Sequence, residues 1–382
     1  MVERTDRLQM TRRKNTIVLG GGIVALLFLI GVYLEIMSKP NFEDFCLDGK
    51  PIQARLCPVK DDRAAIVTVI SDDGFYESGL ILNELARERD LHVTVAGTVG
   101  NLSERLQEWQ SIEKEGYIEV ISHSYSHLKI NEETNPPYQA VLHEYACSKE
   151  WFEKRFATPA FCFVTPNNNT SENGYGILRN YSFLAVRQGQ RGENSLSPVY
   201  GRKPGEWLNL KTRGIGDVKT TAERNAWVDK TIGEGRWLIE MWHDVSPDGD
   251  VHYQPISTAM AAEHLDYLAQ RSAEGAIWVA PFTQAVSYIY QRQNTTVRAF
   301  LKGELIAVKA ERSAKKLPNG KELPWNEFNT PLSVEIVLPK DWKGIRAYKG
   351  YEARVVKKNK NEGRYLVDIA PTDDILYLER IY

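Results

Sequence analysis

From residue 64 to about residue 290, apolar runs of strand length alternate with stretches whose apolar residues recur at helical spacing. No other feature constrains the fold as strongly. The strand-length runs are residues 64–70, 91–96, 117–121, 160–164, 183–186, 237–241 and 276–280. Residues 79–89, 103–115 and 258–271 carry the helical spacing between them. Continuous apolar runs belong to strands covered on both faces, and such strands are parallel and joined by helical crossovers. Seven strands in roughly 230 residues suit a closed or nearly closed barrel, a (β/α)7 arrangement, better than a short open sheet.

After residue 290 the pattern changes to short alternating runs at 332–337, 353–356, 365–369 and 375–379, separated by turn residues such as Pro318-Asn319-Gly320. No amphipathic helix is evident there, which predicts a small all-β, sandwich-like module. The expected division is therefore 1–37, 38–60, 61–292 and 293–382: tail and membrane segment, linker, barrel, and β module.

The first of these rests on residues 17–34, a stretch without a charged residue, preceded by Arg4, Arg7, Arg12, Arg13 and Lys14. An apolar run of this length just spans a bilayer, and the excess of basic residues before it places the following chain outside the cytoplasm. The segment reads as an uncleaved anchor because residues 33–39 lack a small-x-small cleavage site; a cleaved signal, giving a secreted protein, is the competing reading. The expected location is extracytoplasmic, in a periplasm or at a cell surface. There, the sequence-local pairs Cys46–Cys57 and Cys147–Cys162 could close as disulfides, one of the three connectivities that four cysteines allow. A buried Cys162 thiol is the alternative. The formal net charge of −2, with no zinc-finger or phosphate-loop pattern, gives no basis for nucleic-acid binding.

Chemistry concentrates where the apolar runs end. Asp72-Asp73-Gly74 follows the first run, His123-Ser124-Tyr125-Ser126-His127 the third, and Trp242-His243-Asp244 the sixth. In a parallel barrel these positions, with Pro166, Asn167 and Arg187, fall on the carboxyl-terminal rim that carries active sites. A carboxylate and two imidazoles are the donors of a catalytic zinc site with an open position. A second carboxylate is then available as a base, and His243 as an acid. Spacing of i, i+4 lets His123 and His127 face one ion if a helical turn begins there. Each cluster alone has a structural reading: an Asx turn at 72–74, capping serines at 124 and 126, and a satisfied core histidine at 243.

In this order and at these strand ends, the motifs resemble the polysaccharide deacetylase family, carbohydrate esterase family 4, over roughly residues 64–290. Membrane-anchored bacterial members with a β domain behind the barrel are the resembling type. The resemblance implies a distorted (β/α)7 barrel, with Asp73, His123 and His127 as ligands of a divalent metal. Zinc fits those ligands best, and cobalt, nickel or manganese are tolerated. It implies Asp72 as the base, His243 as the acid, and Pro166 and Asn167 near the oxyanion. The substrate would be an acetylated polysaccharide or oligosaccharide. Two positions depart from the family pattern. Ser71 stands where many members have Phe, and the turn Thr165-Pro166-Asn167-Asn168-Asn169 holds no Arg to orient the base. Arg187, from the next apolar run, is the candidate substitute. A glycan-binding protein with a degenerate site and a C–N hydrolase acting on a small amide are the alternative functions.

Overall fold

The computed structural model describes residues 42–214, 220–247, 252–313, 316–317, 320–328, 330–349, 352–359, 363–372 and 375–382. The anchor expected over residues 17–34 lies outside them. Among the described residues, no helix is long and apolar enough to cross a membrane.

Seven parallel strands form a closed ring: β1 (Ala65–Ser71), β2 (Val93–Gly97), β3 (Ile118–Ser122), β4 (Cys162–Val164), β5 (Ala185–Arg191), β6 (Leu210–Gly214) and β7 (Trp237–Trp242). The ring closes where β7 pairs with β1, from Ile66↔Trp237 to Ser71↔Trp242. Every residue of β1 is buried. Its alternation sends Val67 and Val69 outward to the helices and Ile66 and Ile70 inward, where they meet Ala96, Ile121, Val164 and Ile239. That two-sided burial is why the strand reads as an unbroken apolar run.

The ring differs from the sequence expectation in one member. Residues 276–280 supply β8 (Ile277–Val279), which pairs only with the first half of β1, at Ala65–Val67. The second half of that edge, Ile70 and Ser71, pairs with β2. The seventh ring strand is β6, which no apolar run announced. Its Leu-Lys-Thr-Arg-Gly buries only alternate residues, and Lys211 and Arg213 are half-exposed. The distortion of the barrel sits beside it. Residues 192–209, between β5 and β6, contain no helix, and the β5–β6 register shifts between Arg187 and Arg191.

Helices cover the remaining crossovers. The first of them, Tyr76–Glu88, lies so close to Trp109 that a Cβ on Gly79 would fall 2.2 Å from the indole. Glycine is what lets the helix seat there.

Beyond helix Phe282–Gln293 the chain forms two antiparallel sheets that enclose Ile306, Val308, Val334, Ile336 and Leu378. This is the expected all-β sandwich. Residues expected to act as a linker also take part in it. Lys50–Pro51 edges one sheet, Ala54–Leu56 edges the other, and helix Phe42–Asp48 buries Phe42 and Phe45 against Ala307 and Tyr377. All four cysteines are free thiols, so neither sequence-local disulfide is formed. Cys162 is buried in the barrel interior, whereas Cys147 is exposed.

Candidate metal centre

The ladder between β1 and β7 continues past both strand ends. The Asp72 N–H donates to the Trp242 carbonyl at 2.9 Å, and the Ser71 hydroxyl donates to the His243 carbonyl at 2.7 Å. Asp72 and His243 are thereby fixed side by side. The chain then turns sharply, with Asp73 at φ 72° and Gly74 at φ 74°. A Cβ on Gly74 would lie 2.8 Å from the Gly97 Cα, so the tight turn also needs glycine for space. The Asn101 side chain donates to the Asp73 carbonyl at 2.9 Å and anchors the turn.

His123 leaves β3 with its N–H on the Gly97 carbonyl, at 2.9 Å. Its Nδ1 lies 3.0 Å from the Val164 carbonyl. A carbonyl only accepts, so Nδ1 donates to it, which turns Nε2 toward Asp73 and His127, the orientation of metal-ligating histidines. The segment from His123 to His127 is not a helical turn. Ser124 and His127 both take left-handed conformations, at φ 77° and 64°, and the His127 N–H donates to the Ser124 hydroxyl at 3.1 Å. Glu144 holds this loop from behind. Its buried carboxylate accepts the Tyr125 and Ser126 N–H groups, at 3.1 and 2.9 Å, and the Ser126 hydroxyl. Glu144 sits in residues His143–Cys147, a wide π-type turn within the helical stretch before β4.

These turns bring three donors together. Asp73 Oδ1 is 3.5 Å from His123 Nε2 and 3.3 Å from His127 Nε2, and the three ligating atoms lie within 4.8 Å of one another. Burial pushes the Asp73 carboxyl up, but the His123 hydrogen bond and the neighbouring imidazoles outweigh it and hold it below its ordinary range. Burial, and then His123, pushes His127 down. The result is one ionised carboxylate beside neutral His127, with Nε2 of His123 facing both. Hard and borderline donors so arranged fit a divalent transition ion.

The second group lies beside the first. Asp72 is 2% exposed and Arg187 has no exposed surface. The Arg187 guanidinium donates to Asp72 Oδ2, to Asn168 Oδ1 at 2.6 Å and to the Met241 sulfur at 3.0 Å. Arg187, on β5, thus meets the carboxylate that the 165–169 turn cannot reach with a cation of its own. His243 Nε2 stands 4.0 Å from Asp72 Oδ2, and its ring meets the Tyr253 ring edge-on at 4.9 Å. Burial lowers His243, offset in part by Asp72 and Asp73. Asp72 Oδ1 and His243 Nδ1 are both buried without a hydrogen-bond partner. Neither atom is committed to another protein group, so both are available to a further partner.

Pro166 is buried at the start of a one-turn 3₁₀ segment, Pro166–Asn168, and Asn167 is exposed at φ 52°. Asn167 and Asn168 line a polar cleft, and Asn168 also accepts from Arg187. Sequence reasoning singled out neither Glu144 nor Asn168. Nothing local marks Glu144, whereas the Asn168-Asn169 pair after a proline is a detectable turn signal.

No protein-family model matches the chain, and no curated protein matches its sequence. Three solved structures illustrate the similarity found. A protein of Mycobacterium smegmatis, provisionally designated a polysaccharide deacetylase, is 13% identical, with a TM-score of 0.48 over 64% of this chain and 96% of that one. A family 4 carbohydrate esterase from Streptomyces lividans, in complex with acetate, is 14% identical, with a TM-score of 0.39 over 56% and 91%. A CE4 family pseudoenzyme from Bacillus anthracis is 15% identical, with a TM-score of 0.41 over 58% and 65%. At these identities and scores the matches carry no argument about chemistry, and the barrel stands on its own strand order.

Proposed function

We propose that the chain is a metal-dependent deacetylase that removes N- or O-linked acetyl groups from an extracytoplasmic polysaccharide or oligosaccharide. One observation carries the reading. A three-donor metal set lies beside a buried carboxylate and a buried imidazole, each with an uncommitted atom. The ordered motifs of the sequence, with their family resemblance, narrow the reaction from hydrolysis in general to deacetylation.

Asp73, with Nε2 of His123 and of His127, would hold the ion, zinc being the best match to these donors. When bound, such an ion acts as a Lewis acid toward a carbonyl and lowers the pKa of water. Asp72 takes the proton from the attacking water on Oδ1, the oxygen that Arg187 leaves open. Arg187 holds that carboxylate in orientation through Oδ2. Pro166 has no N–H, so the backbone donor this turn can offer to the developing oxyanion is that of Asn167. His243 delivers a proton to the departing amine or alcohol, and acetate is the second product. The basic-then-apolar amino terminus supports a membrane tether that holds the barrel outside the cytoplasm.

The test is acetate release from acetylated glycans by the full-length protein, with and without chelator. Chelator-sensitive release that zinc restores is expected. Release by an Asp72→Asn protein at the wild-type rate would overturn the assignment of the base. No release from any acetylated glycan by the zinc-loaded protein would overturn the activity itself.

A further inference from the structure

A cleft of about 330 Å³, linked to the candidate centre through Asn168 and Arg187, has a wall of unusual chemistry. Asn167, Asn168 and Asn169 enter it from the turn after β4, Gln188 and Gln190 from β5, and Asn209 from the residue before β6. Tyr175 and Gly189 complete it. Charged residues make up 26% of the chain, yet none lines this cleft, so neither an anion nor a cation finds a counter-charge there. Few apolar groups face it either, which excludes a hydrophobic ligand. Side-chain amides each donate and accept at once, the pairing that neighbouring hydroxyl groups require.

Part of the wall is ordered before any ligand arrives. Gln188 is 3% exposed, and its amide nitrogen reaches the Leu208 carbonyl at 2.9 Å and the Tyr175 hydroxyl at 3.0 Å. Asn209 donates to the Arg202 carbonyl at 3.0 Å, and Asn169 accepts the Thr170 N–H at 2.8 Å. Gly189 leaves the space that Asn168 fills, since a Cβ there would fall 2.3 Å from the Asn168 Cβ. Asn168 connects the cleft to the chemistry. Its Oδ1 is taken by Arg187, which in turn holds Asp72.

We propose that this cleft binds an uncharged sugar residue of the substrate chain, one adjacent to the residue being deacetylated. The proposal rests on the deacetylase reading for its substrate, but glycan binding at the cleft is measurable without turnover. A ligand held against Asn168 sits one hydrogen-bonded step from the Arg187–Asp72 pair. Occupancy of the cleft would therefore register the chain with its acetyl group at the metal centre.

The experiment is titration calorimetry on the chelator-treated, full-length protein, which removes hydrolysis from the readout. The probes are tetraacetylchitotetraose, cellotetraose and xylotetraose, each against its own monomer, with tetragalacturonate as the charged control. Gln190→Ala, at an exposed position, and Asn209→Ala are the variants. Each lost hydrogen bond is worth about 1 kcal/mol, so the tetramer-to-monomer affinity ratio of the best neutral probe should fall roughly fivefold in each variant. An unchanged ratio in the Gln190→Ala protein overturns the proposal. So does tighter binding of tetragalacturonate, or no binding of any neutral tetramer at millimolar concentration. If the ratio falls but the zinc-loaded wild type releases no acetate, the cleft stands as a glycan site and the deacetylase reading fails.

Discussion

The Arg187–Asp72 pair offers the sharpest perturbation. Arg187 has no exposed surface and Asp72 only 2%, so their charges interact with little screening. At a charge separation of about 4 Å and an effective dielectric near 20, the attraction is about 4 kcal/mol. Desolvating the two ions absorbs much of that gain, so the pair is not a large net source of stability. Removing one partner is different. An Arg187→Met protein leaves Asp72 buried, with Oδ2 now as unpartnered as Oδ1 already is, and loses the hydrogen bond that anchors Asn168. Orphaning a buried ion costs about 3–5 kcal/mol, and that is the destabilisation expected. Asp72→Asn in the Arg187→Met background removes the orphaned charge and should recover at least about 2 kcal/mol of the loss. Urea unfolding of the four chelator-treated proteins of the double-mutant cycle measures both quantities. The reasoning fails if Arg187→Met lies within about 1 kcal/mol of wild type, or if the two substitutions are additive within about 0.5 kcal/mol.

Three further outcomes follow from the geometry. Glu144→Ala releases the loop that carries His127 and should weaken zinc binding by about 10- to 100-fold, as measured by competition with a chromophoric chelator; wild-type affinity would show that the loop holds itself. His243→Gln should lower acetate release by about 10²–10⁴-fold while metal content, read by atomic absorption, stays at the wild-type level; a parallel loss of metal would reassign the residue. Glu119 concerns stability. Burial raises its carboxyl to about 7 against the hydrogen bonds from Thr283 and Thr94. The folded state thus holds this proton more tightly than the unfolded chain does. The resulting stability is complete below the ordinary value of 4.5 and lost as pH rises toward 7, about 3 kcal/mol in all. Glu119→Gln should flatten that part of the stability profile, and an unchanged slope between these pH values would refute the buried-proton account.

The path from sequence to site divides at the range of the interactions involved. Strands buried on both faces are apolar along most of their length, so β1, β2, β3 and β7 are legible as runs even with Glu119 and Glu240 inside them, and the polar clusters that end them mark one rim of a parallel barrel. That local logic also delivers Asp72, Asp73, His123, His127 and His243 to a common place. It fails at β6, where half-exposed Lys211 and Arg213 interrupt the apolar run and only pairing with β5 and β7 makes a strand. It fails again at residues 123–127, where left-handed turns held by Glu144, rather than helical spacing, bring the two imidazoles together. Arg187 and Asp72 are 115 residues apart, and their meeting is set by ring closure and the inward face of β5. The amino-acid sequence by itself determined the barrel's periodicity and the order of its chemical groups, because both are written in near-neighbour patterns of burial. The tertiary structure alone decided which charges meet and how the ligand loop bends, because those contacts exist only once distant strands have closed the ring.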